Sequence, residues 1–139
     1  MFQRILVPVD LTEKSLTAVD LAYELATQSR ADVLLLHVVE TIEYIAFDEM
    51  KHFYDRLEKS AREGLQEFSE RFEGKGLRTE QFVVYGHRTK EIVDFAITNR
   101  ADLIVMASHR VDPDRPGHDW SSISYAVAIL APCPVLLVK

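Results

Sequence analysis

Polar residues capable of chemistry sit where apolar runs stop. Asp10 follows Arg-Ile-Leu-Val-Pro-Val at 4–9, and Ser108-His109-Arg110 follow Leu-Ile-Val-Met-Ala at 103–107. A third group, Ser121-Ser122, precedes a short apolar segment of helical spacing that starts at Ile123. A carboxylate, a guanidinium able to grip phosphate oxygens bidentately, and hydroxyls at a helix N-terminus together suit a phosphate or nucleotide. In open α/β sheets such a ligand binds beyond the carboxyl ends of the strands, where strand order reverses. If the strands before Asp10 and Ser108 are neighbours, Asp10 and Arg110 face each other across one crevice.

The elements that must place these groups alternate along the chain. Short apolar runs at Arg4–Asp10, Asp32–Val39, Arg78–Tyr85, Leu103–Ala107 and Pro134–Val138 read as five strands. Pro8 counts against a central place for the first, since it has no N–H for a sheet ladder. Thr12 or Ser15 can cap a first helix carrying Leu16, Val19, Ala22, Tyr23 and Ala26 at helical spacing. Phe53, Leu57, Ala61, Leu65, Phe68 and Phe72 form the stripe of a second, which Gly74 and Gly76 end. Gly86 marks a turn and Thr89 can cap a third, with Ile92, Phe95 and Ala96 inward; Ile123, Ala126, Val127 and Leu130 make the inner face of the last. Residues 41–52 lack clear periodicity and read as a loop or a lid. The fold class that follows is α/β, a five-stranded parallel sheet with helices on both faces, Rossmann-like.

Bulk properties bound the function. A chain of 139 residues is expected to form a single domain, 1–139, burying about two-thirds of its unfolded surface. The net charge of −6 argues against a nucleic-acid surface, because phosphate backbones reward clustered positive charge. An anionic ligand must therefore be held by local dipoles and a few placed cations. The single cysteine, Cys133, excludes an intramolecular disulfide, and no apolar run approaches the roughly 20 residues that span a bilayer. With no signal-peptide layout, the expected location is cytoplasmic, without membrane insertion.

Five segments in register carry a resemblance over essentially the whole chain: Arg-Ile-Leu-Val-Pro-Val-Asp at 4–10, Leu-Leu-His-Val-Val at 35–39, Gly86, Ala-Asp-Leu-Ile-Val-Met at 101–106 and Ala-Pro-Cys-Pro-Val-Leu-Leu-Val at 131–138. Together they resemble the universal stress protein family. The resemblance implies an adenine nucleotide α-hydrolase-like fold and a regulatory rather than catalytic protein of the stress response. It also implies ATP or AMP, with or without Mg2+, as ligand, and a homodimer formed through the last strand, Val135, Leu136, Leu137 and Val138, with a further protein partner unidentified. Carried over residue by residue, the nucleotide site would comprise Pro8, Val9, Asp10, Val38, Met106, Ala107, Ser108, His109, Arg110, Ser121, Ser122 and Ile123.

The nucleotide-binding branch of that family has Gly-x-x-Gly, nine residues, then Gly-Ser or Gly-Thr. Here those glycines fall on Ala107, Arg110 and Ser121, and the intervening stretch, Val111–Trp120, is ten residues long. Glycine in such loops lets backbone N–H groups approach a phosphate. Losing two such contacts at about 1.5–3 kcal/mol each weakens binding by about 100-fold to 10,000-fold. Arg110 and the serine hydroxyls are available as replacements. Two functions stay open at this point: nucleotide binding through side chains, or an interaction module of the same family that has lost the ligand. A slow ATP hydrolase is a third, resting on fold analogy alone.

Plainer roles stand beside these. Asp10 can cap the first turn, Arg110 can pair with Asp112 or Asp114, and Ser122 is an N-cap whatever the ligand. Trp120 can plug the head of the last helix or cover the pocket. The spacing of His109, Asp112, Asp114, His118 and Asp119 matches no standard zinc or calcium loop. His37 reads as a hydrogen-bonded core histidine, His87-Arg88 after Gly86 can reach a ligand or form a solvated turn, and Cys133 has no neighbour that would activate it.

Overall fold

The computed structural model describes residues 1–114 and 122–139. Five strands, β1 (Arg4–Pro8), β2 (Asp32–Glu40), β3 (Thr79–Gly86), β4 (Leu103–Ala107) and β5 (Val135–Val138), form one sheet in the order β3-β2-β1-β4-β5. Every recorded pair is parallel. Four α-helices connect them: α1 (Ser15–Ser29), α2 (Lys51–Glu70), α3 (Arg88–Thr98) and α4 (Ile123–Leu130). The nearly unbroken apolar strands follow from burial on both faces. Ile5, Val7 and Val9 of the first run pack with Val19, Ala22, Leu65 and Phe68 of α1 and α2, while Leu6 packs with Ile92, Ala96 and Val127 of α3 and α4.

Two helix-to-strand junctions repeat one design. Arg30-Ala31-Asp32 leads from α1 into β2, and Arg100-Ala101-Asp102 leads from α3 into β4. Both arginines take left-handed backbone, φ 55° and 54°. In each, the alanine N–H donates to a helix carbonyl (Ala31 to Ala26, Ala101 to Ala96, both 3.0 Å). Each aspartate N–H then donates to the chain where β1 begins, Asp32 to Gln3 O and Asp102 to Arg4 O. Arg4 ties the two together: its Nε donates to Asn99 O at 2.7 Å, its N–H donates to Asp102 Oδ1 at 3.0 Å, and Nη1 lies 3.5 Å from Asp32 Oδ2. The amino ends of the three central strands are thereby locked in register.

The carboxyl end is organised differently, and Pro8 is the reason. It does sit in the central strand, contrary to the expectation from sequence. Strand alternation resolves this: Val9 N–H donates to Leu36 O of β2 at 2.9 Å, so the neighbouring Pro8 nitrogen faces β4. The β1–β4 ladder has pairs at Ile5–Leu103 and Leu6–Ile104 and stops before Pro8. The missing donor falls where pairing with β4 has ended, so it breaks no ladder bond.

Several boundaries differ from the sequence reading for identifiable reasons. β1 closes at Pro8 rather than Asp10, because Asp10 is drawn into a turn; β3 is shifted by one residue to end on Gly86. Thr89 lies inside α3, and α1 follows Lys14, which offers no side-chain cap. The buried face of α2 begins at Tyr54, whereas Leu57 is exposed. On α4, Val127 is buried but Leu130 points outward. Residues 41–52 contain a 3-10 turn (Phe47–Met50) and the start of α2. Phe47 stacks on Tyr54 at 4.9 Å and meets Tyr85 edge-on at 5.6 Å, and Tyr54 Oη accepts from Ile42 N–H at 2.9 Å. The segment is thus fastened to α2 and the outer strand β3.

Gly86 ends β3 with φ +145°, and a Cβ there would lie 2.6 Å from Glu91 Oε1 and 2.8 Å from its Cγ. Gly86→Ala is expected to destabilise the protein by about 1–3 kcal/mol, read as a lower midpoint in urea without loss of the helical signal.

Candidate functional site

Beyond the carboxyl ends of β1, β2 and β4 lies a recess of about 270 Å³. Four junctions and one strand build it. β1 and the turn after it supply Pro8, Val9, Asp10, Lys14 and Ser15; β2 supplies Leu36, His37 and Val38; the start of α3 supplies Arg88 and Ile92. The end of β4 contributes Met106, Ala107, Ser108 and His109, and the start of α4 contributes Ser122, Ile123 and Ser124. Ten of the twelve residues expected from sequence therefore meet in one place. Ser121 lies outside the described residues, as do His118, Asp119 and Trp120.

Arg110 is the exception among the described positions. Its side chain is exposed and does not line the recess, so the expected opposition of Asp10 and Arg110 is not observed. The cations on the described walls are Lys14 and Arg88 instead. Arg88 also holds Glu40, with Nε 3.6 Å from Oε2 at a half-exposed position. A readable signal pointed to Arg88: it follows Gly86, where an apolar run ends. Lys14 carries no comparable mark, because its reach depends on how the Asp10 turn folds.

That turn is closed by Asp10 itself. Oδ1 accepts from Thr12 N–H at 2.9 Å, Thr12 Oγ1 at 2.7 Å and Ser15 Oγ at 2.9 Å, while Asp10 N–H donates to Ser15 Oγ at 3.0 Å. Leu11, next in the chain, takes φ 69°, and its side chain lies over Gly64 of α2, where any Cβ would come within 2.9 Å of it. The capping role and a ligand role are compatible. All three bonds use Oδ1, leaving Oδ2 without a hydrogen-bond partner among the described residues.

The β2 wall presents backbone. Leu36 O is taken by Val9 N–H, so Val38, two residues on, directs its own N–H and C=O to the same side. Register with β1 ends at Pro8–Leu36, leaving no β1 residue opposite Val38. The carbonyl that would continue the ladder, Val9 O, is bonded instead to His37 Nδ1 at 2.9 Å. His37 is thus hydrogen-bonded, as expected, and lines the recess as well.

Hydroxyls gather at the opposite end. Ser124 Oγ lies 2.8 Å from Ser108 Oγ and 3.1 Å from Ser122 Oγ, and Ser122 Oγ caps α4 by accepting from Tyr125 N–H at 3.3 Å. Ser108 N–H is held by Val138 O at 2.8 Å, and Tyr125 Oη donates to His109 O at 2.6 Å. The first N–H groups of α4 and its dipole favour an anion here. No group of three or more metal-ligating side chains occurs among the described residues. Burial, and to a lesser extent Asp102, pushes the Cys133 thiol pKa up, the opposite of activation.

Asp10 also sets a pH dependence. Partial burial pushes its pKa up, but the Thr12 hydroxyl and N–H, the Ser15 hydroxyl and the residue's own N–H outweigh this, and the net value lies below 3.8. A carboxylate whose folded pKa is depressed stabilises the fold fully above its unfolded value, and the contribution disappears as pH falls through the folded value. The stability difference between the wild type and Asp10→Asn should therefore be constant from pH 7 to about 5 and shrink below about pH 4. Urea midpoints across that range check it.

Comparison with known proteins agrees with this fold. The universal stress protein family profile matches residues 1–139. A curated relative, universal stress protein YxiE of Bacillus subtilis (strain 168), is 29% identical over 153 residues, with all of both chains covered. The universal stress protein UspA from Lactobacillus plantarum has the same fold, with a TM-score of 0.85, 23% identity, and 99% and 97% of the two chains covered. A universal stress protein solved in complex with cAMP superimposes with a TM-score of 0.77 at 26% identity, covering 99% of this chain and 97% of its own. No helix among the described residues is long and apolar enough to cross a membrane. Fold and family profile converge: the chain belongs to the universal stress protein family.

Proposed function

We propose that the protein binds an adenine nucleotide, ATP or AMP, in the recess between β1 and β4, and acts as a regulatory protein rather than as an enzyme. One observation carries the reading: Val38 offers a backbone donor and acceptor side by side into the recess, beyond the end of β1. Adenine carries the complement, a ring-nitrogen acceptor beside an amino donor, whereas guanine has these reversed. With the base at Val38, the ribose falls near Asp10 Oδ2 and the phosphates reach Ser108, Ser122 and the first N–H groups of α4. The cAMP complex of a 26% identical relative supports an adenine nucleotide as the ligand class.

The missing glycines bear on affinity. Ala107 and the serine hydroxyls take the places of part of a backbone cradle, and Lys14 adds a side-chain cation. Magnesium, where present, arrives with the phosphates and keeps water ligands. The serine hydroxyls are held in place by bonds to one another and to a helix N–H. Cytoplasmic action of the chain as one domain completes the reading, consistent with its single free cysteine.

The active form is a homodimer paired through β5. That strand is one of the two edges of the sheet, and Leu136 on it and Ile129 and Leu130 on α4 are exposed (37%, 81% and 60%). Unpaired strand edges favour such association. Sedimentation of the wild type should give a dimer, and Leu136→Lys a monomer; a wild-type monomer at high micromolar concentration refutes the pairing.

Calorimetric titration tests the ligand. ATP or AMP should bind in the micromolar range, GTP at least about tenfold more weakly, and Asp10→Ala should weaken ATP by about tenfold or more. Absence of heat up to millimolar ATP contradicts the proposal and leaves the family's interaction role without a nucleotide.

A further inference from the structure

A second recess, of about 310 Å³, opens at the other end of the sheet. Its walls are Thr27, Arg30, Ala31 and Asp32 from the α1–β2 junction and Lys75, Gly76, Leu77 and Arg78 from the α2–β3 junction. Three of these eight residues are cations in a chain whose net charge is −6. The one carboxylate on the wall, Asp32, is occupied by Arg4 at 3.5 Å. Arg78 gives its Nε to Glu80 at 3.1 Å, which leaves its two terminal nitrogens. Arg30 and Lys75 have no ion-pair partner among the described residues.

The backbone beside Arg30 and Arg78 is tied by hydrogen bonds. Val33 N–H donates to Arg78 O at 2.9 Å, Ala31 N–H to Ala26 O, and Asp32 N–H to Gln3 O. Gly76 turns the α2–β3 connection with φ 73°. Arg30 stands at φ 55°, ψ 43°, a conformation in which glycine carries no penalty and any side chain costs about 1 kcal/mol or more. A cation at a helix C-terminus recovers part of that cost from the dipole. Arg100 separates that effect from binding: it has the same left-handed backbone at the end of α3 but lines neither recess.

We propose that Arg30, Lys75 and Arg78 form a binding site for a phosphate group on a small molecule, separate from the nucleotide recess. Two guanidinium forks and an ammonium surrounding one recess match the charge and hydrogen-bonding needs of a phosphate dianion. The site lies at the amino ends of β2 and β3, across the sheet from Val38 and Ser122, so it is independent of whether a nucleotide binds there.

Inorganic phosphate, titrated at constant ionic strength, is the probe, and amide resonances in a two-dimensional NMR spectrum are the readout. Saturable shifts are expected at Ala31, Gly76, Leu77 and Arg78. Arg30→Gly and Lys75→Gln should each weaken the apparent affinity by about tenfold or more, while Arg100→Gly leaves it unchanged. Thermal melts of Arg30→Gly should show a folded protein at least as stable as the wild type, because glycine relieves the backbone cost. The proposal is overturned if those amides do not shift saturably, if shifts appear only at Ser108 and Ser122–Ser124, or if Arg30→Gly and Arg100→Gly bind phosphate alike.

Discussion

The candidate site depends on where the central ladder stops. At the amino end, Arg4 is bonded to Asn99 and Asp102 and paired with Asp32, so β1, β2 and β4 start together. At the carboxyl end, the β1–β4 pairs stop after Leu6–Ile104, and Pro8 brings no N–H to extend them. β1 ends at Pro8 while β2 continues to Glu40. One strand ending early is what leaves the Val38 backbone without a partner strand on its β1 side. Polar main-chain groups near a protein interior need partners, and in the proposed complex the ligand edge is that partner.

Around that opening the fold divides its labour between rigid and local structure. The apolar strands and the inner faces of α1, α2, α3 and α4 form two packed layers on a parallel sheet. Layers of this kind hold the strand ends still, which places Asp10, Val38 and Ser108 relative to one another. The groups at the rim are set by short-range bonds instead: Asp10 with Thr12 and Ser15, His37 with Val9, Ser108 with Ser124. Leu11 and Gly64 connect the two levels, since the left-handed turn after Asp10 rests on a helix position that has no side chain.

Most of the architecture was legible in the sequence because buried parallel strands leave unbroken apolar runs and helices leave a 3.6-residue period. Ten of the residues that line the recess were legible, eight of them at or near strand ends and Ser122 and Ile123 at the start of a helix, with Val38, Ser122 and Ile123 reached through the family resemblance. Arg110 was misplaced because it lies past the strand in a loop, where residue type says nothing about direction. Lys14 depended on how the Asp10 turn folds, and the α2 stripe, legible at Ala61, Leu65 and Phe68, differed at its start, where Tyr54 is buried and Leu57 exposed. The segment at 41–52 escaped assignment since its order comes from Phe47 stacking on Tyr54, a contact between ring faces rather than a propensity. Arg30 and Arg100 hid the left-handed turns that glycine would have announced.

The most direct test follows the Val38 and Ser122–Ser124 amides by NMR as AMP is added. The account predicts that Val38 N–H moves strongly and in proportion to the α4 N-terminal amides, as one ligand spanning both walls requires. Shifts at α4 with Val38 unmoved, or no saturable shift at either, would contradict it.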